Sequence, residues 1–514
     1  MLSRVTGYKI EAAVFLSGAL VMVFEIVGSR IVSPFLGAST YIWTSLIGVI
    51  LGALSVGYWL GGRMADKGPR ESVLASVLFI AGGLVSVTIL LKDAVLFFAS
   101  ELPVGLEIRS IVAAILLFAP ASVAFGFVTP YAIRLRIASI EDAGKTVGRL
   151  YSLSTVGSIV GTFAGGFFLI PFVGSVRTLY LIAGLLFLLG MTVAAVRTST
   201  VRVASVIVFV LGIAVSEGSR YAVASMGMLE DIDTEYARVQ VLQVTDPKTE
   251  RQMRAIATDP FFWQSAIYTD TGESAFQYAN FYDLLPVVKP NFSRTLTIGG
   301  AGYIFPSRYV RTYPNAKIDV AEIDPQMTEI ARKYFNLAED QRLRIYHEDG
   351  RAFLNRSPSC VYDAVLIDAF ASMFSTPFQL TTVESVRHID RVLTPDGVVM
   401  MNVGSAIAGP SSGFLHAELA TYKAVFPFVY IFKVDPKHAD EDLQNVVVLA
   451  CKAECLGSLG SLGSLEGRER ENAGRIGSLL ERRYELPPLD KPMLTDDLAP
   501  VEYYGSVAVR GIRR

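Results

Sequence analysis

Glycine and acidic residues stand at the ends of four successive predicted strands in the C-terminal half of the chain. In chain order they are Gly299, Gly300 and Gly302, then Glu322, Asp349 and Asp368. Glycines let a ligand approach the backbone closely, and an acid about 20 residues after such a turn can bind ribose hydroxyls. Because ligands of open α/β sheets bind at the carboxyl ends of the strands, this order predicts a nucleoside site.

The kind of nucleoside follows from the same residues. The turn at 299–303 reads GGAGY instead of GxGxxG, so it favours an S-adenosyl sulfonium ligand over a dinucleotide. Asp349, which follows the third strand, suits the amino group of adenine. We therefore expect an S-adenosyl sulfonium compound, such as S-adenosylmethionine (AdoMet), as the ligand.

The elements that must position these residues alternate between strand and helix. Helices are predicted at 325–336 and 380–393, between strands at 295–299, 317–322, 343–347, 363–368, 397–402 and 445–450. Such alternation predicts a mainly parallel sheet covered on both faces. Before it, period-2 patterns within 234–270 predict a small β-sheet, and 276–288 reads as a helix.

The N-terminal half has a different composition. The chain is 52% hydrophobic and 18% charged, and nearly all long apolar runs lie within 1–225. Candidate membrane spans are 10–32, 41–62, 72–91, 109–133, 147–170, 177–196 and a weaker one at 201–216. The predicted fold is an N-terminal all-α transmembrane bundle of six or seven helices (1–225), a small β-strand domain with a connecting helix (226–285), and a C-terminal α/β Rossmann-like AdoMet-binding domain (286–514).

Lysine and arginine residues set the expected topology. They concentrate at the N-terminus and in the loops 63–70, 134–149 and 197–202, which should be cytoplasmic. Seven spans would then place the C-terminal domain outside, whereas an interfacial 201–216 would place it inside. Because AdoMet is made in the cytosol, we expect a multi-pass inner-membrane protein whose catalytic domain faces the cytosol, with the lipid bilayer as a partner.

Charge and cysteine content exclude some functions. A net charge of −2 gives no basic field for nucleic acid. The three cysteines do not make a disulfide framework; Cys451 and Cys455 could ligate a metal, but the usual second Cys/His pair is missing, so no metal is expected. Glu25 and Arg30, in or near the first span, are either a polar site that contacts substrate or a structural ion pair, or Arg30 lies at the membrane interface.

Several longer motifs together resemble one known family. They are WQSAIYTD (263–270), TIGGAG (297–302), VAEIDPQM (320–327), HEDGRAFL (347–354), YDAVLIDAF (362–370) and LTPDGVVMMNV (393–403), with FEIVGSRIVSPFLG (24–37), GRLYSLSTVGSIVG (148–161) and LTDDLAPVEYY (494–504) outside them. The chain resembles the spermidine synthases, which are aminopropyltransferases, and more closely their membrane-fused relatives with an N-terminal helical bundle. The resemblance implies a transferase for polyamine biosynthesis that releases 5′-methylthioadenosine, without a metal and with a possible homodimer.

The resemblance also implies roles by position. Gln264 and Tyr278 would line the pocket for a small-molecule amine or other acceptor. The glycine turn would hold the nucleoside, with Glu322 on the ribose and Asp349 on the adenine. Asp368 would orient the attacking amine and take its proton. A carboxylate within hydrogen-bond reach can perform that step.

Two departures leave alternatives open. Gly302 stands where the soluble enzymes have an aspartate in the turn, and Ala371 stands where they have a second aspartate after the central one. Their absence weakens the case for putrescine and for decarboxylated AdoMet. AdoMet lyase, cyclase or methyltransferase activity, and a non-catalytic nucleoside sensor or transporter, stay as alternatives. Replacement acids could come from Glu25 or from the tail, whose acids otherwise read as helix caps or surface: Asp496, Asp497 and Glu502.

Overall fold

The structure is a computed structural model that describes residues 2–137, 139, 141–194, 199–225, 227–260, 262–369, 376–456 and 473–511. It divides into two compact units, Met1–Val239 and Gln240–Arg514. The sequence predicts three parts. The boundary between the two units falls within a strand of the small sheet, Arg238–Thr245.

The first unit is helical until residue 225. Its helices are α1 Leu2–Leu36, α2 Thr40–Ala65, α3 Glu71–Glu101, α4 Leu106–Leu117, α5 Ala119–Arg136, α6 Ala143–Ala164, α7 Ile170–Val173, α8 Ser175–Val193 and α9 Thr200–Ser225, with a π-helical turn, Gly165–Leu169, before α7. In the described part of the chain, six helices are long and apolar enough to cross a membrane, or seven if α4 and α5, bent by 55°, count as one span.

Helix α9 corrects the weakest of the predicted spans. The apolar pattern covers 201–216, but the helix extends over 26 residues, Thr200–Ser225, and has a mean hydropathy of 1.9 in its most apolar window. A span needs about 20 residues. The helix is therefore long enough to cross a membrane, although the apolar segment 201–216 alone is short for a span.

Small residues allow close helix packing in the first unit. A Cβ atom added to Gly157 or Gly161 of α6 would overlap the backbone carbonyl oxygens of Phe15 and Ala19 in α1. Glycine at these two positions lets the backbones of the two helices touch, as in helix pairs within lipid. The small-residue stretch at 157–166 thus forms part of a helix–helix contact.

A four-stranded sheet has the order β1–β2–β3–β4. Its strands are β1 Met228–Asp233, β2 Arg238–Thr245, β3 Gln252–Ala257 and β4 Trp263–Tyr268. β2, β3 and β4 pair antiparallel in succession, as the alternating pattern in the sequence predicts. The predicted helix at 276–288 is a 3₁₀ helix, Gln277–Leu284, that continues into the short α10, Leu285–Val288.

The main sheet of the second unit has eight strands. They are β5 Arg294–Ile298, β6 Lys317–Ala321, β7 Leu343–Tyr346, β8 Tyr362–Ile367, β9 Leu393–Ser405, β10 Phe428–Lys433, β11 Gln444–Cys451 and β12 Arg483–Tyr484, in the spatial order β12–β10–β11–β9–β8–β5–β6–β7. The strands β7, β6, β5, β8 and β9 are parallel, and β11, β10 and β12 are antiparallel to their neighbours. The six predicted strands are all present.

Helices connect and follow these strands. They are α11 Ile304–Thr312, α12 Pro325–Tyr334, α13 Gly350–Arg356, α14 Val383–Val392, α15 Gly413–Lys423, α16 Ala473–Leu480 and α17 Val501–Gly511. The chain leaves β5 for β6 on one side and returns to β8 on the other. A parallel sheet has its ligand crevice where the strand order reverses in this way, so the ends of β5, β6 and β8 delimit the candidate site.

The cysteines differ from expectation at one pair. Cys451, the last residue of β11, forms a disulfide with Cys455, four residues later. The two thiols are therefore not metal ligands. The sequence has no framework of paired cysteines, so the sequence analysis had no reason to expect this disulfide.

Candidate active site

Asp368 lies at the carboxyl end of β8 and is the centre of the site. Its backbone N–H donates to the carbonyl oxygen of Ile298 at 3.0 Å, which holds the ends of β8 and β5 together. Its carboxylate accepts hydrogen bonds from the Tyr278 hydroxyl and from Asn402. Burial raises the pKa of Asp368 to about 6, although both hydrogen bonds act to lower it. A carboxylate with this pKa can accept a proton near neutral pH.

Tyr278 reaches Asp368 from the 3₁₀ helix. Its hydroxyl donates to Oδ2 of Asp368 at 2.9 Å. Burial, and then the nearby negative charge of Asp368, raises the pKa of Tyr278 well above its usual value. The phenol therefore stays protonated and acts as a hydrogen-bond donor. Its ring stacks on Phe276 with centroids 5.9 Å apart and meets the edge of Tyr282 at 6.2 Å.

The glycine turn follows β5 and closes against β8. Gly299 has φ of +91°, and a Cβ at this position would overlap the backbone of Asp368 and Ala369. A side chain is excluded both by the left-handed conformation and by this close approach. Gly299 therefore brings the turn to the residue that carries the central carboxylate.

Glu322 fixes the shape of the same turn. One carboxylate oxygen, Oε2, accepts from the backbone N–H of Gly300 at 2.7 Å and of Ala301 at 3.2 Å. The other, Oε1, accepts from the N–H of Asp324 at 2.9 Å. Glu322 is buried, and that burial raises its pKa, while the three backbone hydrogen bonds lower it. The acid at the end of β6 thus holds the turn after β5, and the predicted contact with ribose stays a prediction.

Gly302 is enclosed by side chains. Its N–H donates to Oγ of Ser265 at 3.2 Å, and a Cβ added here would lie 2.9 Å from that Oγ and 3.2 Å from Phe335 Cδ1. The sequence argument treats Gly302 as a position that spares the carboxylate of AdoMet from repulsion. The packing gives a different reason for glycine, because a side chain here would require Ser265 and Phe335 to move.

Asp349 begins helix α13. Its Oδ1 accepts from the N–H of Ala352 at 2.9 Å, which is a helix N-cap contact. Oδ2 lies 3.5 Å from Nε2 of Gln379. The side chain is half-buried at the carboxyl end of the sheet, after β7. Its role toward adenine stays a prediction.

A cavity of about 510 Å³ opens beside Asp368. Gln264, Tyr278 and Asp368 are among the residues that line it, so the structure brings these three predicted site residues together. The Nε2 of Gln264 donates to Oγ1 of Thr258 at 2.7 Å. The glycine turn, Glu322 and Asp349 are not among its lining residues, so the predicted acceptor pocket and the predicted nucleoside turn occupy different parts of the second unit.

Two contributors to the cavity are not among the site residues that the sequence predicts. Asn402, near the end of β9, hydrogen-bonds to Asp368 and lines the cavity. Helix α17 adds Val501, Gly505 and Ala508. Asn402 ends the predicted strand 397–402, and that position was a usable signal because the other site residues also follow strands. The motif 494–504 reaches the first turn of α17, but it does not single out the residues that line the cavity.

The other proposed acids have different surroundings. Asp496 pairs with Arg351 at 3.0 Å and accepts from the Thr382 hydroxyl at 2.6 Å, so it belongs to a polar cluster around the start of α14. Glu25 lies in the first unit. Ala371 lies outside the described residues. Within the described residues no group of three or more His, Cys, Asp or Glu side chains is arranged to hold a metal ion.

Comparison with known proteins identifies proteins that are similar to this chain over part or most of its length. Residues 284–432 match the family described as the Spermine/spermidine synthase domain. The chain is 31% identical over 186 residues to a polyamine aminopropyltransferase of Vibrio vulnificus, which is 34% of this chain and 60% of that protein. It is 24% identical over 446 residues to polyamine aminopropyltransferase 1 of Streptomyces coelicolor, covering 80% of this chain and 78% of the relative.

Among solved structures, the chain is similar to a probable spermidine synthase from Corynebacterium glutamicum, with 21% identity, a TM-score of 0.39, and coverage of 49% of this chain and 86% of that one. Residues 284–432 are thus similar to spermine/spermidine synthase domains, and the chain as a whole is similar to polyamine aminopropyltransferases. The match spans about 60% of the length of the Vibrio relative.

Proposed function

We propose that the chain is a membrane-anchored transferase that moves an aminopropyl group from decarboxylated AdoMet to an amine and releases 5′-methylthioadenosine. The observation that carries the proposal is the carboxylate of Asp368, with a pKa of about 6, held by Tyr278 and Asn402 at the wall of a cavity. The names of the relatives support the group transferred, since both are aminopropyltransferases.

The chemistry needs a base and an electrophile. The free electron pair of the acceptor amine attacks the methylene carbon next to the sulfonium, and a new C–N bond forms. The C–S bond breaks, its electrons go to sulfur, and the leaving group is a neutral thioether. The acceptor is an ammonium at neutral pH, so before the attack it gives one proton to the Asp368 carboxylate, which frees this electron pair; the product amine keeps the protons that remain on nitrogen. General-base catalysis of this kind contributes about 10²- to 10⁴-fold in rate.

The donor is proposed to be the decarboxylated form. The sulfonium of AdoMet carries a 3-amino-3-carboxypropyl group. Loss of its carboxylate leaves the aminopropyl group that is transferred. The sequence-based reason for AdoMet itself was the glycine at position 302, and the packing of Gly302 against Ser265 supplies a structural reason for that glycine. Neither of the two relatives named above is a lyase.

The bundle is proposed to span the cell membrane, with the chain leaving it on the side opposite to the basic loops. Two contacts within the first unit support this side. The carboxylate of Asp233 accepts from the N–H of Ser175 at 2.8 Å, and Arg30 donates to the carbonyl oxygen of Glu235. Ser175 begins α8 and Arg30 lies in the last turns of α1. In the proposed topology, both helix ends lie on the other side of the membrane from the basic loops 63–70 and 134–149.

The sequence analysis expects a catalytic domain that faces the cytosol, because the donor is made there. The side proposed here is the opposite one. If the bent pair α4 and α5 is counted as one span, the 26-residue α9 is a seventh crossing, and the opposite side depends on that count. The disulfide between Cys451 and Cys455 is also typical of an oxidising compartment. A donor made in the cytosol would then have to reach the catalytic unit from across the membrane.

Mass spectrometry of the purified full-length chain tests the proposed reaction. The protein is incubated with decarboxylated AdoMet or with AdoMet, with and without a mixture of primary amines. We expect methylthioadenosine and an aminopropylated amine only from the decarboxylated donor with an amine present. Methylthioadenosine from AdoMet without an acceptor would indicate a lyase, S-adenosylhomocysteine a methyltransferase, and bound donor without product a sensor; each would overturn the proposal.

A further inference from the structure

Several hydrogen-bond donors in the wall of the cavity beside Asp368 are directed at other protein atoms. The Tyr278 hydroxyl donates to Asp368 at 2.9 Å, and the Asn402 amide also donates to that carboxylate. Nε2 of Gln264 donates to Oγ1 of Thr258 at 2.7 Å. Tyr278, Asn402 and Gln264 all line the cavity. What these side chains offer to a ligand is therefore mainly their acceptor atoms.

Two amide oxygens in the same cavity have no partner. Oδ1 of Asn402 and Oε1 of Gln444 are buried without a hydrogen-bond partner among the described residues. Both residues line the cavity, and they are 9% and 8% exposed. A buried acceptor that has lost its water and gained no partner costs free energy, which an N–H group of a ligand would recover. The cavity therefore fits a ligand that carries more than one N–H donor.

The amide of Gln444 is held in one orientation. Its Nε2 donates to the carbonyl oxygen of Ala439 at 2.8 Å and to that of Asp442 at 3.3 Å. In a flipped amide, the side-chain oxygen would lie against these two carbonyl oxygens, so the hydrogen bonds determine which atom is the nitrogen. They leave Oε1 as the atom that is free to accept from a ligand.

The two free oxygens belong to different parts of the cavity. Gln444 begins β11 and pairs with Ser405 of β9, which also lines the cavity. Ser405 lies three residues beyond Asn402 on β9, a distance of about 10 Å along an extended strand. Asn445, which follows Gln444, lines the cavity and is exposed. The cavity therefore has a second polar end, next to an exposed residue, away from the Asn402 oxygen.

We propose that Gln444 determines the specificity for the acceptor: its Oε1 accepts a hydrogen bond from an N–H group at the end of the acceptor remote from the reacting nitrogen. The inference rests on the proposed function, because it concerns the acceptor of that reaction. The reacting amine lies at Asp368 and at Oδ1 of Asn402. The remote nitrogen group is recognised by a neutral amide, since Asp368 is the single carboxylate among the described lining residues.

Two acceptors of equal length test the role of Gln444. Putrescine and n-pentylamine differ by one terminal group, an ammonium in the first and a methyl in the second. With decarboxylated AdoMet and the full-length chain, the unmodified protein should prefer putrescine. Gln444→Met, which replaces the amide by a thioether of similar length, should lower kcat/KM for putrescine by at least about tenfold, through KM, and should not lower that for n-pentylamine.

Three results would overturn the inference and leave the aminopropyl transfer intact. They are the absence of a preference for putrescine in the unmodified protein, an unchanged preference in Gln444→Met, and an equal loss for both amines. A second variant, Gln444→Asn, keeps the amide but withdraws it by one methylene, and it should shift the preference in the same direction. If Gln444→Met does not fold, Gln444→Asn decides by the same comparison.

The neighbouring residue gives a matched control. Asn445 also lines the cavity and carries an amide, but it is exposed, so water can satisfy its polar groups. Asn445→Ala should keep the preference between the two amines. A loss of preference as large as that in Gln444→Met would contradict the assignment to Gln444.

Calorimetric binding separates failure of the inference from failure of the proposed function. If neither amine is turned over, the proposed function fails, and the affinities of the two amines for the protein loaded with methylthioadenosine still decide the inference. Tighter binding of putrescine that is lost in Gln444→Met supports it. Equal binding of the two amines, or tighter binding of putrescine that the variant retains, overturns it.

Discussion

The hydroxyl of Tyr278 and Oδ2 of Asp368 are 2.9 Å apart, although the two residues are separated by 90 positions in the sequence. The phenol stays protonated and donates, so it stabilises the carboxylate form of Asp368. Burial acts in the opposite direction and is the larger effect, because the pKa of Asp368 ends at about 6 instead of 3.8. The balance between these two effects leaves Asp368 able to accept a proton near neutral pH.

The pH dependence of the reaction should report this balance. Asp368 accepts a proton only when it is ionised, so kcat/KM should fall as the pH drops through about 6. Tyr278→Phe removes a hydrogen bond that lowers the pKa, and should move the acidic limb of the profile upward by roughly half a unit to one unit. Tyr282→Phe is the matched control, because the Tyr282 hydroxyl is buried without a hydrogen-bond partner among the described residues. An acidic limb that Tyr278→Phe leaves in place would contradict the assignment.

Asp368→Asn should lower activity and raise stability together. The folded-state pKa of Asp368 is raised, so its contribution to stability is full below pH 3.8 and is lost as the pH rises through about 6. At pH 7 the ionised carboxylate therefore costs up to about 3 kcal/mol, which the neutral amide avoids. We expect kcat to fall by about 10²- to 10⁴-fold while the melting temperature rises at pH 7 and not at pH 4. Loss of activity with a lower melting temperature at pH 7 would indicate a structural role only.

The sequence predicted most of the sheet and the acids at its strand ends, because both depend on local patterns. Buried strands such as Tyr362–Ile367 show as apolar runs, and Asp368 and Glu322 follow them directly. It did not predict that Glu322 would hold the glycine turn, that Ser265 would enclose Gly302, or that α17 would line the cavity. Each of these is a tertiary contact between segments far apart in the chain, and no periodicity records such a contact. The length of α9 was also underestimated, since its last turns are less apolar than the 201–216 core.

Glu322→Gln should disrupt the nucleoside turn. The carboxylate accepts from three backbone N–H groups, those of Gly300, Ala301 and Asp324. A glutamine side chain presents an N–H₂ group to at least one of these donors, and an unsatisfied buried donor costs about 1–3 kcal/mol. We expect a lower melting temperature and at least about tenfold weaker binding of methylthioadenosine by calorimetry. Glu329→Gln, on the exposed side of α12, is the control. Unchanged nucleoside affinity would restrict Glu322 to a structural role.

Gly302→Ala should destabilise the second unit, and a change at Ser265 should compensate. The added Cβ would lie 2.9 Å from Oγ and 3.0 Å from Cβ of Ser265, so overpacking should cost about 1–3 kcal/mol. In the double variant Gly302→Ala with Ser265→Gly, both close contacts disappear, and we expect the melting temperature to recover in part. Gly477→Ala, where no atom lies within 4 Å of the added Cβ, is the control. A fully stable Gly302→Ala protein would show that the turn has room for a side chain.

Labelling of a native thiol can show on which side of the membrane the second unit lies. Cys360 is free and exposed in the second unit, while Cys451 and Cys455 are joined in a disulfide. A maleimide that does not cross membranes should label Cys360 in intact spheroplasts if the second unit lies on the side opposite to the basic loops. In a Cys360→Ser background, Lys67→Cys, in the exposed loop after α2, should be labelled only after the membrane is opened. Labelling of Cys360 only in opened membranes would place the second unit in the cytosol, and labelling of both sites in intact spheroplasts would contradict the helix count.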